Sequence, residues 1–329
     1  MTKFFMKKYL LTVLTIITLT GCGADSEGGG SEGDSSGNSD DGNAKTICNR
    51  GIVCFFENNQ NFEKQADGTI LHKDTGLIWQ FNYDSSSDKI LPLMYNAAVA
   101  YCDSLSIHGY NDWRLPSSYE MFTLYDFSQI PPAFMPILDM TQDEFMTSTR
   151  TVSDKGTLIW IINYHREGIL SSIATPSGLL RCVRNDNLDF TSDFYNALND
   201  ANRYSSADGV VTDSLTGLQW QGSDATGDAD GTPNQLTNLD NGEAFTVCDN
   251  LVLGGESDWR VPTALEFLSI LDFNRVNNAV NPIFSMTSMI EYWTSTQFST
   301  TESIKVQDYY GDMKKASKSE SNYLRCVRP

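Results

Sequence analysis

The stretch Asn111-Asp112-Trp113-Arg114-Leu115-Pro116-Ser117-Ser118-Tyr119-Glu120 returns as Ser257-Asp258-Trp259-Arg260-Val261-Pro262-Thr263-Ala264-Leu265-Glu266. In each version a hydroxyl residue follows proline directly and a glutamate stands three positions later. That is the pattern of a capping box, so a helix is expected to start there twice. The glutamates are accordingly assigned to satisfying backbone donors at the helix start rather than to catalysis.

The match extends outward on both sides. Ala66-Asp67-Gly68 through Asp74-Thr75-Gly76-Leu77-Ile78-Trp79-Gln80 corresponds to Ala207-Asp208-Gly209 through Leu215-Thr216-Gly217-Leu218-Gln219-Trp220-Gln221. Cys102-Asp103-Ser104-Leu105 corresponds to Cys248-Asp249-Asn250-Leu251, and Leu180-Arg181-Cys182-Val183-Arg184 to Leu324-Arg325-Cys326-Val327-Arg328. The offset stays between 141 and 147 residues. These are two units of ordinary domain size, each expected to bury its own core.

Ahead of the repeats, a basic start with Lys3, Lys7 and Lys8 precedes the apolar run Tyr9 to Leu19 and then Leu19-Thr20-Gly21-Cys22. The order is that of a signal peptide, its apolar run too short for a stable membrane-spanning helix. Leu-Thr-Gly-Cys resembles the lipobox of bacterial lipoproteins, which makes Cys22 the expected acylated first residue of the mature chain. Residues 23–45 are Gly, Ser, Asp, Asn and Glu with two alanines and Lys45, and nothing apolar larger than alanine, so they cannot offset chain entropy by burial. They read as a tether with a reach of roughly 25 to 30 Å. Gly23 after the cysteine favours sorting to an outer membrane or the cell surface.

The expected organisation is therefore a signal peptide over 1–21, the tether over 22–45, a small lead-in over 46–66, a first domain over 67–185, a linker over 186–206 and a second domain over 207–329. The formal charge is −19. This argues against sequence-independent binding of nucleic acid, which needs clustered Lys and Arg.

With Cys22 acylated, six cysteines remain, and in an oxidising compartment six allow 15 pairings. Each repeat owns two at equivalent places. Repeat symmetry pairs Cys102 with Cys182 and Cys248 with Cys326, leaving Cys48 and Cys54 to close a small loop; pairing across the repeats is the rival arrangement. Closing a loop of this length stabilises by about 4 to 5 kcal/mol on the chain-entropy model.

Within each unit a strand, an Asp-Thr-Gly or Leu-Thr-Gly turn and a second strand are expected over 67–80 and the matching part of the second copy. A helix should follow. In the first copy Met94, Ala98, Tyr101, Cys102 and Leu105 share a face; in the second, Asp240 and Glu243 suggest a capping box ahead of Ala244, Val247, Cys248 and Leu251. Strands are expected over 157–164, 179–184, 302–310 and 323–328, with long irregular segments over 126–147 and 272–294. Two helices followed by antiparallel strands is an α+β plan.

The ordered motifs Thr-Gly-Leu-x-Trp-Gln, Cys-x-x-Leu, Asp-Trp-Arg-Leu/Val-Pro-Ser/Thr-x-x-Glu, Met/Trp-Thr-Ser-Thr and Leu-Arg-Cys-Val-Arg together resemble the DUF1566 or Lcl C-terminal domain, in two copies. The resemblance implies a C-type-lectin-like fold, with a cysteine of the first helix bonded to one at the final strand. It implies a surface adhesin as well, whose founding member binds sulfated glycosaminoglycans. This chain is acidic and has no collagen repeat, so sulfated ligands do not follow.

Trp-Arg-Leu-Pro-Ser/Thr-x-x-Glu also occurs in formylglycine-generating enzymes, which depend on a reactive cysteine pair. Here the repeat assigns every cysteine to a structural bond. His72, His108 and His165 match no metal-binding spacing, and neither a nucleophile elbow nor a phosphate-cradling loop is found. No enzyme activity and no cofactor are expected. Asp224, Asp228, Asp230 and Asn234 lie in an insertion of the second copy; Asp228 and Asp230 are weak calcium candidates, but the terminal bidentate glutamate of a calcium loop is missing. Tyr164-His165 and Tyr309-Tyr310 sit at the same hairpin and are read as packing across strands rather than stacking on a sugar. The expected function is recognition of a glycan or protein partner at the cell envelope by a lipid-anchored pair of lectin-like domains. A structural surface lipoprotein without a small-molecule ligand is the alternative, and an enzyme of formylglycine-generating type is the third reading.

Overall fold

The computed structural model describes residues 61–81, 93–130, 133–134, 137, 144–153, 156–163, 168–173, 177–185, 196–222, 237, 239–240, 242–273, 275, 279–284 and 290–329. The expectations for Cys22, Cys48, Cys54, Tyr164, His165, Asp228 and Asp230 fall outside these residues. The first repeat runs through β1 (Phe62–Lys64), β2 (Ile70–His72), β3 (Leu77–Trp79), β4 (Leu93–Met94), α1 (Tyr95–Ser104), α2 (Ser118–Phe122), β5 (Tyr125–Asp126), β6 (Ala133–Phe134), β7 (Glu144–Ser153), β8 (Gly156–Asn163), β9 (Gly168–Ile173), β10 (Ser177–Gly178) and β11 (Val183–Asn185). The second contributes β12 (Tyr204–Ala207), β13 (Val210–Asp213), β14 (Gln219–Gln221), α3 (Glu243–Asp249), α4 (Ala264–Ser269), β15 (Glu291–Gln297), β16 (Glu302–Gln307), β17 (Met313–Ser317) and β18 (Val327–Arg328).

Each repeat opens with a small antiparallel sheet that its own last strand completes. The orders are β1-β2-β3-β11 and β12-β13-β14-β18. In the second copy Ala207 pairs with Val210 across the two-residue loop Asp208-Gly209, and both loop residues have positive φ, 51° and 79°. This is the Asp-Gly hairpin geometry whose twist suits the flanking strands. The mixture of helices and antiparallel sheets, in two similar halves, is α+β.

Both capping boxes form. Ser117 accepts from the Glu120 amide and Thr263 from the Glu266 amide, and each glutamate returns a bond to the cap backbone. Two details of the first helices differ from expectation. The Asp240–Glu243 box does not form: the N-cap of α3 is Gly242, at φ 75° and without a side-chain cap, so Glu243 becomes the first helical residue. Met94 precedes α1 and is 55 % exposed, while Ala98 and Cys102 carry the buried face.

The segments expected to be irregular end earlier than predicted. Met146-Thr147-Ser148-Thr149 lies in β7 and Trp293-Thr294-Ser295-Thr296 in β15. The threonines show why these segments are extended. Thr149 and Thr296 accept through their hydroxyls from the first helical amides, Ser118 and Ala264, both at 2.9 Å. Ser148 and Ser295 donate through their amides to the carbonyls of Pro116 and Pro262. The strand and the start of the second helix therefore satisfy each other's backbone.

The largest departure concerns how the repeats meet. The strand triplets β7–β8–β9 and β15–β16–β17 join edge to edge into one six-stranded antiparallel sheet, β15-β16-β17-β9-β8-β7. Register partners form one row across it: Tyr292, Val306, Met313, Leu170, Ile162, Phe145. The row is palindromic by repeat position, since Leu170 pairs with Ile162 as Met313 pairs with Val306, and Leu170 and Met313 pair with each other. A local twofold axis thus passes through the seam.

Packing follows the sheet. One continuous apolar cluster holds Trp79, Phe122, Phe145, Trp160 and Ile162 of the first repeat with Trp220, Phe267, Phe273, Tyr292 and Val306 of the second. Contacts cross directly: the Tyr119 hydroxyl donates to the Leu271 carbonyl at 2.7 Å, and Phe273 lies against Tyr119 and Trp160 with ring centroids 4.9 and 4.8 Å away. Gly311, at φ 75°, leaves room for this; a Cβ there would meet Ala279 at 3.1 Å and Trp160 at 3.5 Å. Two smaller clusters surround Cys102–Cys182 and Cys248–Cys326. Each repeat has a private core at its disulfide, but the main core is common property.

Candidate functional site

The repeated motifs place charged side chains around the two second helices, and the structure assigns a partner to each. Arg114 grips Glu120 through Nη1–Oε2 at 2.8 Å and Nη2–Oε1 at 2.5 Å; Arg260 grips Glu266 with the same atoms at 2.8 and 2.5 Å. One carboxylate therefore closes the capping box and neutralises an arginine six residues upstream. The Glu120 side chain is 2 % exposed, so it needs both partners. Glu266→Gln is expected to lower stability by about 2 kcal/mol, the range for hydrogen bonds to a charged group, measured by urea unfolding of the full chain.

The backbone beside each arginine is tied to the last strand. Arg114 and Val183 exchange amide–carbonyl bonds of 2.9 Å, as do Arg260 and Val327. Asp112 receives Arg184 Nε at 2.7 Å and Nη2 at 3.2 Å, and the guanidinium lies 3.7 Å above the Tyr110 ring. Asp258 holds Arg328 in the same way, but Glu256 stands at 3.3 Å in the place of the aromatic face.

The hydrogen bond from Arg184 holds the Asp112 carboxyl below its ordinary value of 3.8, and Arg328 does the same for Asp258. A depressed folded pKa contributes stability that is present above the unfolded value and is lost as pH falls through the folded one. Stability should therefore decline below about pH 4, and Asp112→Asn should flatten that acid limb. Unfolding followed between neutral and strongly acidic pH checks this.

Gln80 and Gln221 clamp the disulfides. Their side-chain oxygens accept from the Cys182 and Cys326 amides at 3.3 and 3.2 Å, and their own amides donate to the same cysteines' carbonyls at 3.0 Å. Arg181 donates to the Gln80 carbonyl at 2.6 Å; Arg325, fully buried, donates to the carbonyls of Gln221, Gly222 and Phe284. Cys102 bonds Cys182 and Cys248 bonds Cys326, each with Cα atoms 5.6 Å apart. The pairing is within the repeats, not across them.

Aromatic rings able to stack on a ligand are fewer than the composition suggests. All six tryptophans are buried, none more than 2 % exposed. Tyr309 and Tyr310 meet edge to face at 4.5 Å, and Tyr310 packs on the common core. A cleft between the repeats is lined by Tyr119, Arg203, Tyr204, Asp272 and Asn281 and encloses about 30 Å³. That is room for a water or two, far below the space a sugar ring needs. Among the described residues, no three His, Cys, Asp or Glu side chains come together as a metal-holding group.

Two residue ranges, 68–184 and 209–328, match the family model of the Lcl C-terminal domain. The chain belongs to the Lcl C-terminal domain family. A comparison with curated proteins found no match. The ordered motifs point to the same family, and the structure states what they do in each Lcl domain. The arginine–glutamate and arginine–aspartate pairs, the glutamine clamp and the disulfide knit the Trp-Arg-Leu/Val-Pro turn to the final strand. One signal for the unforeseen Arg114–Glu120 bond did exist: the six-residue spacing is kept in both Lcl domains.

Proposed function

We propose that this chain is a lipid-anchored binding protein of the cell envelope, whose two lectin-like Lcl domains recognise a glycan or a protein partner through the segments in which the copies differ. The observation that carries the reading is the use of the shared residues. The motif arginines, acids, glutamines and cysteines are committed to one another and to backbone, and the tryptophans to the cores. Differences between copies, such as the Gly- and Asp-rich insertion around Asp228 and Asp230, are where a specific ligand contact belongs. The C-type-lectin-like assignment draws on the disulfide from the first helix to the approach of the last strand and on the capped second helix.

The membrane part of the proposal rests on the Leu-Thr-Gly-Cys sequence and the acidic tether. Replacing Cys22 by serine should release the chain from membranes, and a Cys22→Ser variant that stays membrane-bound would contradict acylation. We propose no enzymatic role, since a formylglycine-generating chemistry needs free thiols and the four cysteines of the Lcl domains are bonded. The mature chain should give a reproducible hit on a glycan array or capture a surface protein in a pull-down. Silence in both would favour a purely structural surface lipoprotein. Protease added to intact cells should cut the chain, as expected for display outside the cell.

A further inference from the structure

The seam between β9 and β17 has the form of a contact between two identical molecules. In a twofold interface equivalent surfaces face each other, so residue i meets its own counterpart on the axis. Here Leu170 and Met313, which hold the same place in the two Lcl domains, are register partners. The strands outside them follow in matching order to Phe145 on one side and Tyr292 on the other.

The seam is also the shortest ladder of the sheet. Its ladder consists of Met313↔Leu170 and Lys314↔Gly168, with a register shift between them, whereas β16 and β17 pair without a break from Glu302↔Ser317 to Val306↔Met313. If the Lcl domains part, each presents a strand edge above an apolar face, and such an edge seeks another strand.

We infer that this seam is a self-association edge, closed between two copies of the chain as well as within one. The first Lcl domain of one copy then pairs with the second Lcl domain of the other, and reciprocally, giving an exchanged dimer with two seams. No new complementarity is required, because every contact of the exchanged seam already exists in the single chain: Tyr119 to Leu271, Trp160 and Tyr119 to Phe273, and the Leu170–Met313 pair. The choice is set by concentration. The connection over 186–195 spans roughly 33 Å when extended, and a tether of that kind gives an effective concentration on the order of 1 mM. Closure within one chain therefore prevails when the protein is dilute. Exchange prevails when chains fold while crowded to that level.

The test uses the whole mature chain refolded with its disulfides intact, at about 1 µM and at about 1 mM, and sized by light scattering. Monomer at the low concentration and a majority of dimer at the high one are expected. The double variant Leu170→Cys with Met313→Cys should then yield dimers held by interchain disulfides on a non-reducing gel. Either substitution alone should yield dimers that fall apart there, since the register partner of each new cysteine is unaltered. Monomer at both concentrations overturns the inference, as do cross-links in a single variant, which would mean that identical edges pair. If the double variant does not fold, two unmutated forms with different mass tags decide the matter. Hybrid dimers on refolding them together support exchange, and a lack of hybrids overturns it.

Discussion

Replacing Cys248 and Cys326 together by alanine is expected to remove at least about 4 to 5 kcal/mol of stability, with the midpoint of urea unfolding falling accordingly and the folded chain keeping its α+β content. The bond closes a separation of 78 residues, for which the chain-entropy model gives about 4 to 5 kcal/mol. Native packing adds to this. Both sulfurs are fully buried, in a cluster with Val261, Trp259, Trp293 and Leu324, so truncation leaves unfilled volume as well as a looser unfolded chain. The Cys102–Cys182 bond, with separation 80 and an equivalent cluster around Trp113, should behave alike. Because the variant's unfolded state is more open, its denaturant slope should rise slightly, which distinguishes the loss of a cross-link from simple damage to the core.

Arg203→Ala is expected to cost about 3 to 5 kcal/mol, the range for stranding one member of a buried ion pair. Arg203 is 4 % exposed and Asp213 fully buried; they meet through Nε–Oδ1 at 2.8 Å and Nη2–Oδ2 at 2.7 Å. Burial works against the charge of Arg203, but its bond to Asp213 prevails and holds its pKa above the ordinary value. The first repeat solves the same position differently. His72 stands in the place of Asp213, and its cross-strand partner Phe62, stacked on it with ring centroids 4.4 Å apart, takes the place of Tyr204, the cross-strand partner of Asp213. Each of His72 and Asp213 bonds a turn threonine, Thr75 at 2.7 Å and Thr216 at 2.8 Å. Arg203→Ala combined with Asp213→His should therefore recover part of what Arg203→Ala loses, because the stranded buried carboxylate is then removed as well. Recovery should be incomplete, because Arg203 also donates to the Ser269 carbonyl at 2.7 Å, and that acceptor would lose its partner.

Local features were legible in the residues themselves. The capping boxes of Ser117–Glu120 and Thr263–Glu266 need only four consecutive positions, and the disulfide pairing follows from each repeat owning two cysteines. The Asp240–Glu243 pattern has the same spacing and fails, because Gly242 adopts a left-handed conformation and starts the helix two residues later than an Asp240 cap would. The seam was not legible. Leu170 and Met313 are remote in the chain, and no periodicity distinguishes a strand that joins its counterpart from one that ends a sheet. For the same reason each repeat was expected to bury its own core, whereas the apolar faces of both triplets close a single one. At the candidate site the repeat marks out the charged residues, but Arg114 and Arg184 meet Glu120 and Asp112 through contacts only the folded chain supplies.

The central structural claim is that two Lcl domains sharing a core and a sheet unfold together. Scanning calorimetry of the full chain, with and without Phe145→Leu in the first repeat, tests it directly. The account predicts one endotherm whose van't Hoff and calorimetric enthalpies agree, shifted as a whole to lower temperature by the substitution. Two endotherms, of which only one moves, would contradict it.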